Sequence, residues 1–170
     1  MPMTELIFPT DWGWCGVVGN PGGILRVVLP VPSAADVCCQ LDMRGLAGGA
    51  LVERAAQEIA EYLGGKRRIF TVPVDLASLP SFRRRVLLAC AEVPWGETVS
   101  YGELARRLGR PRAARAVGQA LAANPVPLMV PCHRVIRADG SPGGFGGGLD
   151  LKRRLLELEG VRCRGGGVIA

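Results

Sequence analysis

Histidine occurs once in these 170 residues, as His133, and lysine only twice, as Lys66 and Lys152. A single histidine excludes any histidine-rich metal site, so structural zinc would need mostly cysteine ligands. The six cysteines are Cys15, Cys38, Cys39, Cys90, Cys132 and Cys163. They form no CxxC pair and no regular framework. A chain of this length can also hold a core without disulfides, so reduced thiols are expected. No metal and no cofactor is expected. There is no run of 18 apolar residues, which excludes a membrane-spanning helix by pattern. Met1 to Trp14 has neither the basic start nor the long apolar stretch of a secretory signal, so the expected location is cytoplasmic.

What is present is positive charge in one half. Residues 1–100 hold nine Lys/Arg and ten Asp/Glu; residues 101–170 hold twelve and five. The net charge of +6 therefore arises from a C-terminal part at +7 and an N-terminal part at −1. Such asymmetry suits a polyanionic partner, nucleic acid first, although an arginine-rich solvated surface has the same composition.

The hydrophobic pattern predicts an α+β chain. Trp12 to Val18 and Ile24 to Leu29 read as strands around the turn signal Gly19-Asn20-Pro21-Gly22-Gly23. Leu51 to Leu63 has helical spacing and stops at Gly64-Gly65, and Ile69 to Val74 reads as a third strand. Residues 1–75 thus read as a small antiparallel-sheet/helix unit. Residues 76–170 read as a mostly helical domain. Ser81 is placed to cap a helix to about Ala91, and Ser100 one to about Leu108. Gly109-Arg110-Pro111 then turns the chain into a helix over about 112–123. Two short helices across such a turn suggest a helix-turn-helix. Pro125 to Ile136 reads as a buried extended segment, with Met129 and Val130 as core residues. A loop with six glycines covers 139–148, and Leu149 to Leu158 reads as a last amphipathic helix.

Pro131-Cys132-His133-Arg134-Val135 joins a thiol to the only imidazole. A buried histidine needs partners, and Glu159 and Asn124 are candidates. In an extended segment, neighbouring side chains point to opposite faces, which favours a bridging water over direct thiol–imidazole contact. An unperturbed thiol is only a few per cent thiolate at neutral pH, so proton transfer to His133 would create the nucleophile. A structural cysteine beside a satisfied core histidine is the alternative reading.

The PCHRV stretch resembles the active-site motif of the O6-alkylguanine-DNA alkyltransferases, the methylated-DNA–protein-cysteine methyltransferases. The resemblance continues through Pro94 to Ala105 (PWGETVSYGELA), Ala113 to Gly118 (AARAVG), Asn124-Pro125-Val126-Pro127, Gly147-Gly148-Leu149, Lys152 and Glu159-Gly160. It implies single-use transfer of an alkyl group from O6 of guanine in duplex DNA to Cys132, with O4 of thymine as a further target. It implies that His133 takes the thiol proton through water, Glu159 orients His133, Asn124 braces the turn and Tyr101 protonates the departing guanine. The second helix of the helix-turn-helix would enter the minor groove. Ser100, Ala113, Ala114, Ala116 and Gly118 would lie against DNA, and Arg115 would fill the stack left by the extruded base. The carbonyls of Cys132 and Val135 and the amide of Gly146, beside Phe145, would read the guanine. Phe145 and Gly146 stand where tyrosine and serine are common, which bears on the range of alkyl groups. The partner implied is alkylated double-stranded DNA, with no membrane, and the chain is expected to be a monomer in solution.

Two other functions remain in view. A non-catalytic lesion-binding protein of the alkyltransferase-like kind would replace the acceptor cysteine, which Cys132 opposes. A cysteine hydrolase would draw its partner residues from distant positions rather than from a neighbour.

Overall fold

The computed structural model describes residues 2–42 and 45–169. The chain is a mixed α+β protein of two compact units: Met1–Ser78 with Pro125–Met129, and Leu79–Asn124 with Val130–Ala170. Among the described residues no helix is long and apolar enough to cross a membrane.

In the first unit, strands β1 (Thr4–Thr10), β2 (Gly13–Asn20) and β3 (Gly23–Val31) form an antiparallel sheet in that order. Val17 pairs with both Leu6 and Val27. The β2–β3 turn is tied by Asn20, whose side-chain oxygen accepts from the backbone of Gly22 at 2.7 Å and Gly23 at 3.1 Å. That is the local chemistry by which asparagine favours turns. Strand β1 lies outside the predicted elements, since Pro9 interrupts its pattern; proline is tolerated at a sheet edge. Helix α1 (Ala34–Leu41) was also not foreseen, yet Ser33 and Asp36 form a complete capping box at its start. Helix α2 (Ala50–Leu63) buries Val52, Ala55, Ile59, Tyr62 and Leu63, the face its spacing predicted.

The expected strand at Ile69 to Val74 is reduced to one parallel bridge, Ile24 to Val74. Its backbone donors are taken by a side chain instead. The buried Glu58 carboxylate accepts from Thr71 N at 2.8 Å and Val72 N at 3.3 Å, and Pro73 has no N–H to give.

In the second unit, α3 (Ser81–Ala91) begins after Pro80, so Ser81 is its first residue rather than its cap. Strand β4 (Val99–Ser100) leads into α4 (Tyr101–Arg107), where the Ser100 hydroxyl accepts from Glu103 N. After the turn, α5 (Ala114–Ala122) completes the helix pair. Helix α6 (Leu149–Leu158) coincides with its leucine pattern. A short hairpin of β6 (Arg162–Arg164) and β7 (Gly167–Ile169), not predicted, follows it.

The segment from Pro125 to Ile136 is not extended. Pro125–Met129 joins the first unit, where Val27 N donates to Pro125 O at 2.8 Å, and Leu128 takes a positive φ of 71°. Cys132–Arg134 is a 3₁₀ turn, and only β5 (Val135–Ile136) is strand, parallel to β4. Prolines 125, 127 and 131 explain this, because each removes a donor that a ladder needs.

Candidate active site

The 3₁₀ turn places Cys132 and His133 on one tight bend. The alternation expected of an extended segment does not apply there. Asn124 braces the approach, donating from Nδ2 to Val130 O at 3.1 Å. The pairing of β4 with β5 brings the start of α4, and so Tyr101, beside the turn.

His133 is fully buried, and its Nε2 lies 2.8 Å from Glu159 Oε1. Glu159 arrives from the far end of α6. It is the C-cap residue, followed by Gly160 at φ +82°, with Val161 N bonded to Leu156 O and Gly160 N to Glu157 O. This is the Schellman arrangement, and it fixes the carboxylate's launch point. Arg134 clamps the same carboxylate, donating from Nε to Oε2 and from a terminal nitrogen to Oε1, both at 2.8 Å. Its other terminal nitrogen donates to Val93 O at 2.5 Å. Such fork-shaped pairing holds a buried carboxylate ionised. An ionised Glu159 accepts the Nε2 proton, which leaves the basic lone pair of a neutral His133 on Nδ1. Burial holds the His133 pKa below its ordinary 6.5, against the opposing pull of Glu159.

Burial likewise pushes the Cys132 thiol up, partly offset by the Asn124 amide and the Lys152 charge. Cys132 is thus a thiol at rest and needs a base to become a nucleophile. Burial raises Tyr101 as well, and Cys132 adds to that effect.

Cys132 opens onto a cavity of about 710 Å³, within the range of small-ligand sites. Tyr101, Ala114, Arg115 and Gly118 line it from α4 and α5; Phe145 and Gly146 line it from the glycine-rich loop. The loop must lack side chains where it meets Tyr101: a Cβ on Gly143 would lie 2.6 Å from the Tyr101 hydroxyl. At Gly146 a Cβ would meet nothing within 4 Å, so the absence of serine there is not a steric requirement. Ala113 and Ala116 lie outside the lining, as do Asn124, His133, Val135 and Glu159, which stand behind it. Ser100 caps α4. The two carbonyls expected to read guanine each already accept one internal bond: Cys132 O from Val135 N, and Val135 O from Lys152. Each keeps a second lone pair.

Two residues matter here that the sequence reading left without a role. Arg134 is one. Lys152 is the other: fully buried, it donates to Val135 O at 2.7 Å, to Pro142 O, and to Gly144 O at 3.4 Å. It thereby ties the strand after the turn to the glycine-rich rim. Burial brings its pKa down to about 8. Its place in the resemblance, and a lysine within a helical leucine pattern, were the signals the sequence offered.

The family model for the DNA-binding domain of 6-O-methylguanine DNA methyltransferase matches residues 81–161. The inducible methylated-DNA–protein-cysteine methyltransferase of Bacillus subtilis is 49% identical over 108 residues, 64% of this chain and 60% of its own length. That of Methanosarcina acetivorans is 43% identical over 106 residues, 62% of this chain and 67% of its own. The chain therefore spans less than two thirds of the Bacillus relative. Among solved structures, Mycobacterium tuberculosis OGT in complex with DNA superposes with a TM-score of 0.77 at 34% identity, covering 92% of both chains. The match runs through the Cys132 turn, both helices of the pair and the Glu159 terminus, so the chain belongs to the methylated-DNA–protein-cysteine methyltransferase family.

Proposed function

We propose that this protein repairs DNA by moving an alkyl group from O6 of guanine, and from O4 of thymine, onto Cys132, once per molecule. The observation that carries this reading is the Cys132 thiol opening onto a cavity, backed by the buried His133–Glu159–Arg134 network. The Cys132 proton passes through one water to His133, whose imidazolium Glu159 stabilises. The sulfur attacks the alkyl carbon, a C–S bond forms, and the C–O6 bond breaks. Tyr101 gives a proton to the departing guanine base. A thioether remains on Cys132.

The target atom in a duplex cannot reach this thiol, so the nucleotide is flipped out at a cost of a few kcal/mol. Helix α5 is read as the minor-groove helix, with Ala113, Ala114, Ala116 and Gly118 permitting close approach. Ser100 holds the start of α4 near phosphate. Arg115, exposed on α5 at the cavity, replaces the lost stacking. Val135, Phe145 and Gly146 frame the guanine. Residues 1–75 serve as a structural unit and residues 76–170 as the DNA-binding alkyltransferase domain, working as a cytoplasmic monomer. The DNA-bound state of the Mycobacterium tuberculosis relative supports the choice of partner.

The test is mass spectrometry after incubation with duplex DNA containing O6-methylguanine. One methyl group is expected on the peptide bearing Cys132 and none in Cys132→Ala. DNA binding with an unchanged mass would instead support a lesion-binding protein.

A further inference from the structure

The cavity at Cys132 carries two guanidinium groups in its lining, Arg115 from α5 and Arg137 from the chain just after β5. Among the described residues its lining holds no carboxylate. Six other arginines, Arg54, Arg67, Arg106, Arg107, Arg134 and Arg153, each sit within ion-pair distance of an acid. Arg137 forms none of the ion pairs among the described residues and is exposed at the cavity. The nearest acid in sequence, Asp139, feels the Arg137 charge but takes its hydrogen bonds from Ser141 N at 2.9 Å and Ser141 Oγ at 2.6 Å.

The backbone at Arg137 is held in place. Its N–H donates to Ser141 O at 2.9 Å, and its carbonyl accepts from Gly140 N at 3.0 Å. Gly140 O in turn accepts from Val168 N of the C-terminal hairpin at 2.7 Å. The Arg137 charge is felt inside the cavity, where it opposes the upward effect of burial on Tyr101. A guanidinium outside the ion pairs of the described residues, carried on an anchored backbone beside a cavity with no acid in its lining, fits a tetrahedral or planar oxyanion. A guanine base is neutral. The anion that must accompany it into the mouth is its own backbone phosphate.

We propose that Arg137 binds the phosphate of the extruded nucleotide at the mouth of the Cys132 cavity, a contact separate from the stack-filling role of Arg115. This rests on the reading of Cys132 as the alkyl acceptor. Arg137 is a positioning residue: it seats the nucleotide so that the O6 substituent faces the sulfur.

The test compares three small probes on the intact protein: O6-benzylguanine base, O6-benzyl-2′-deoxyguanosine, and the 3′,5′-bisphosphate of that nucleoside. Wild-type protein is expected to react about tenfold faster with the bisphosphate than with the nucleoside, the equivalent of one charge-assisted contact. Arg137→Gln should bring the ratio of bisphosphate to nucleoside rate down to about one, read within that variant so that any effect on Tyr101 cancels. Arg137→Lys should retain part of the difference, since charge persists without the fork. Arg26→Gln, removing an equal charge at an exposed position of β3, should retain all of it. Equal rates on all probes for wild type, or an Arg137→Gln loss matched by Arg26→Gln, would overturn the assignment. So would an Arg137→Gln defect confined to O6-carboxymethyl-2′-deoxyguanosine, which would place the adduct's carboxylate, not phosphate, on Arg137. Wild-type protein in which neither the probes nor damaged duplex DNA alkylate Cys132 would remove the acceptor reading itself.

Discussion

Glu159 accepts from His133 and twice from Arg134 inside a site with almost no solvent. Glu159→Gln keeps the shape and removes the charge that those donors share. Breaking a buried pair in this way costs about 3–5 kcal/mol. Loss of an oriented base slows proton transfer by roughly 10²-fold or more. Both should be measured, by chemical unfolding and by the rate of methyl uptake; full transfer in a destabilised variant would deny Glu159 its orienting role. His133 fixes the acid side of the pH profile. Its pKa lies below 6.5, so it stays neutral and able to accept a proton as pH falls from 7.5 to 6.5. Methyl uptake should hold across that interval and decline only in more acidic buffer. Lys152 acts on stability at alkaline pH. The unfolded chain keeps its proton to about pH 10.5, whereas the folded chain releases it near 8. Between those values the unfolded state binds more protons, so this group makes the fold more stable as pH rises, by up to roughly 3 kcal/mol. Lys152→Met should remove that rise from the stability–pH curve while slowing transfer, because the glycine-rich rim loses its tether.

At the scale of elements, the end of α6 and the start of α5 have separable effects. Gly160 holds the left-handed position that closes α6 and sets where Glu159 points. Gly160→Ala should cost about 1 kcal/mol of stability and also slow transfer, although residue 160 lines no part of the cavity. Helix α5 presents Arg115 to the cavity but takes no part in the His133–Glu159 network. Arg115→Ala should therefore slow repair of duplex DNA by roughly tenfold or more, and by more than it slows the reaction with free O6-benzylguanine. Equal losses on the two substrates would count against a role in base extrusion.

For the whole molecule, charge is the property with a measurable consequence. Residues 101–170 carry a net +7 against −1 in residues 1–100. Each phosphate neutralised contributes about −0.9 to the slope of log affinity against log salt. Duplex binding by the intact chain should show a slope steeper than about −2. An affinity insensitive to salt would mean that the basic half does not meet the DNA backbone.

The elements legible in the sequence are those set by local chemistry. Leucine spacing marks α6, Ser100 caps α4, and Asn20 with its glycines marks the β2–β3 hairpin, because each depends on neighbours a few residues away. The α+β class follows from the same signals, and the PCHRV motif singles out Cys132. Strand β1, the 3₁₀ turn and the C-terminal hairpin were not legible, because proline, glycine and mixed polarity hide their periodicity. The reading of Ile69 to Val74 as strand failed for a related reason: a distant carboxylate, Glu58, took the donors that a ladder would have used. Tertiary structure alone decided that Arg134 joins His133 on Glu159, that Lys152 ties the turn to the rim, and that Arg137 faces the same cavity as Cys132. The Glu159 contacts span 25 and 26 positions, and that from Lys152 to Val135 spans 17. Their existence depends on which groups burial leaves in need of a partner, and residue order does not record that.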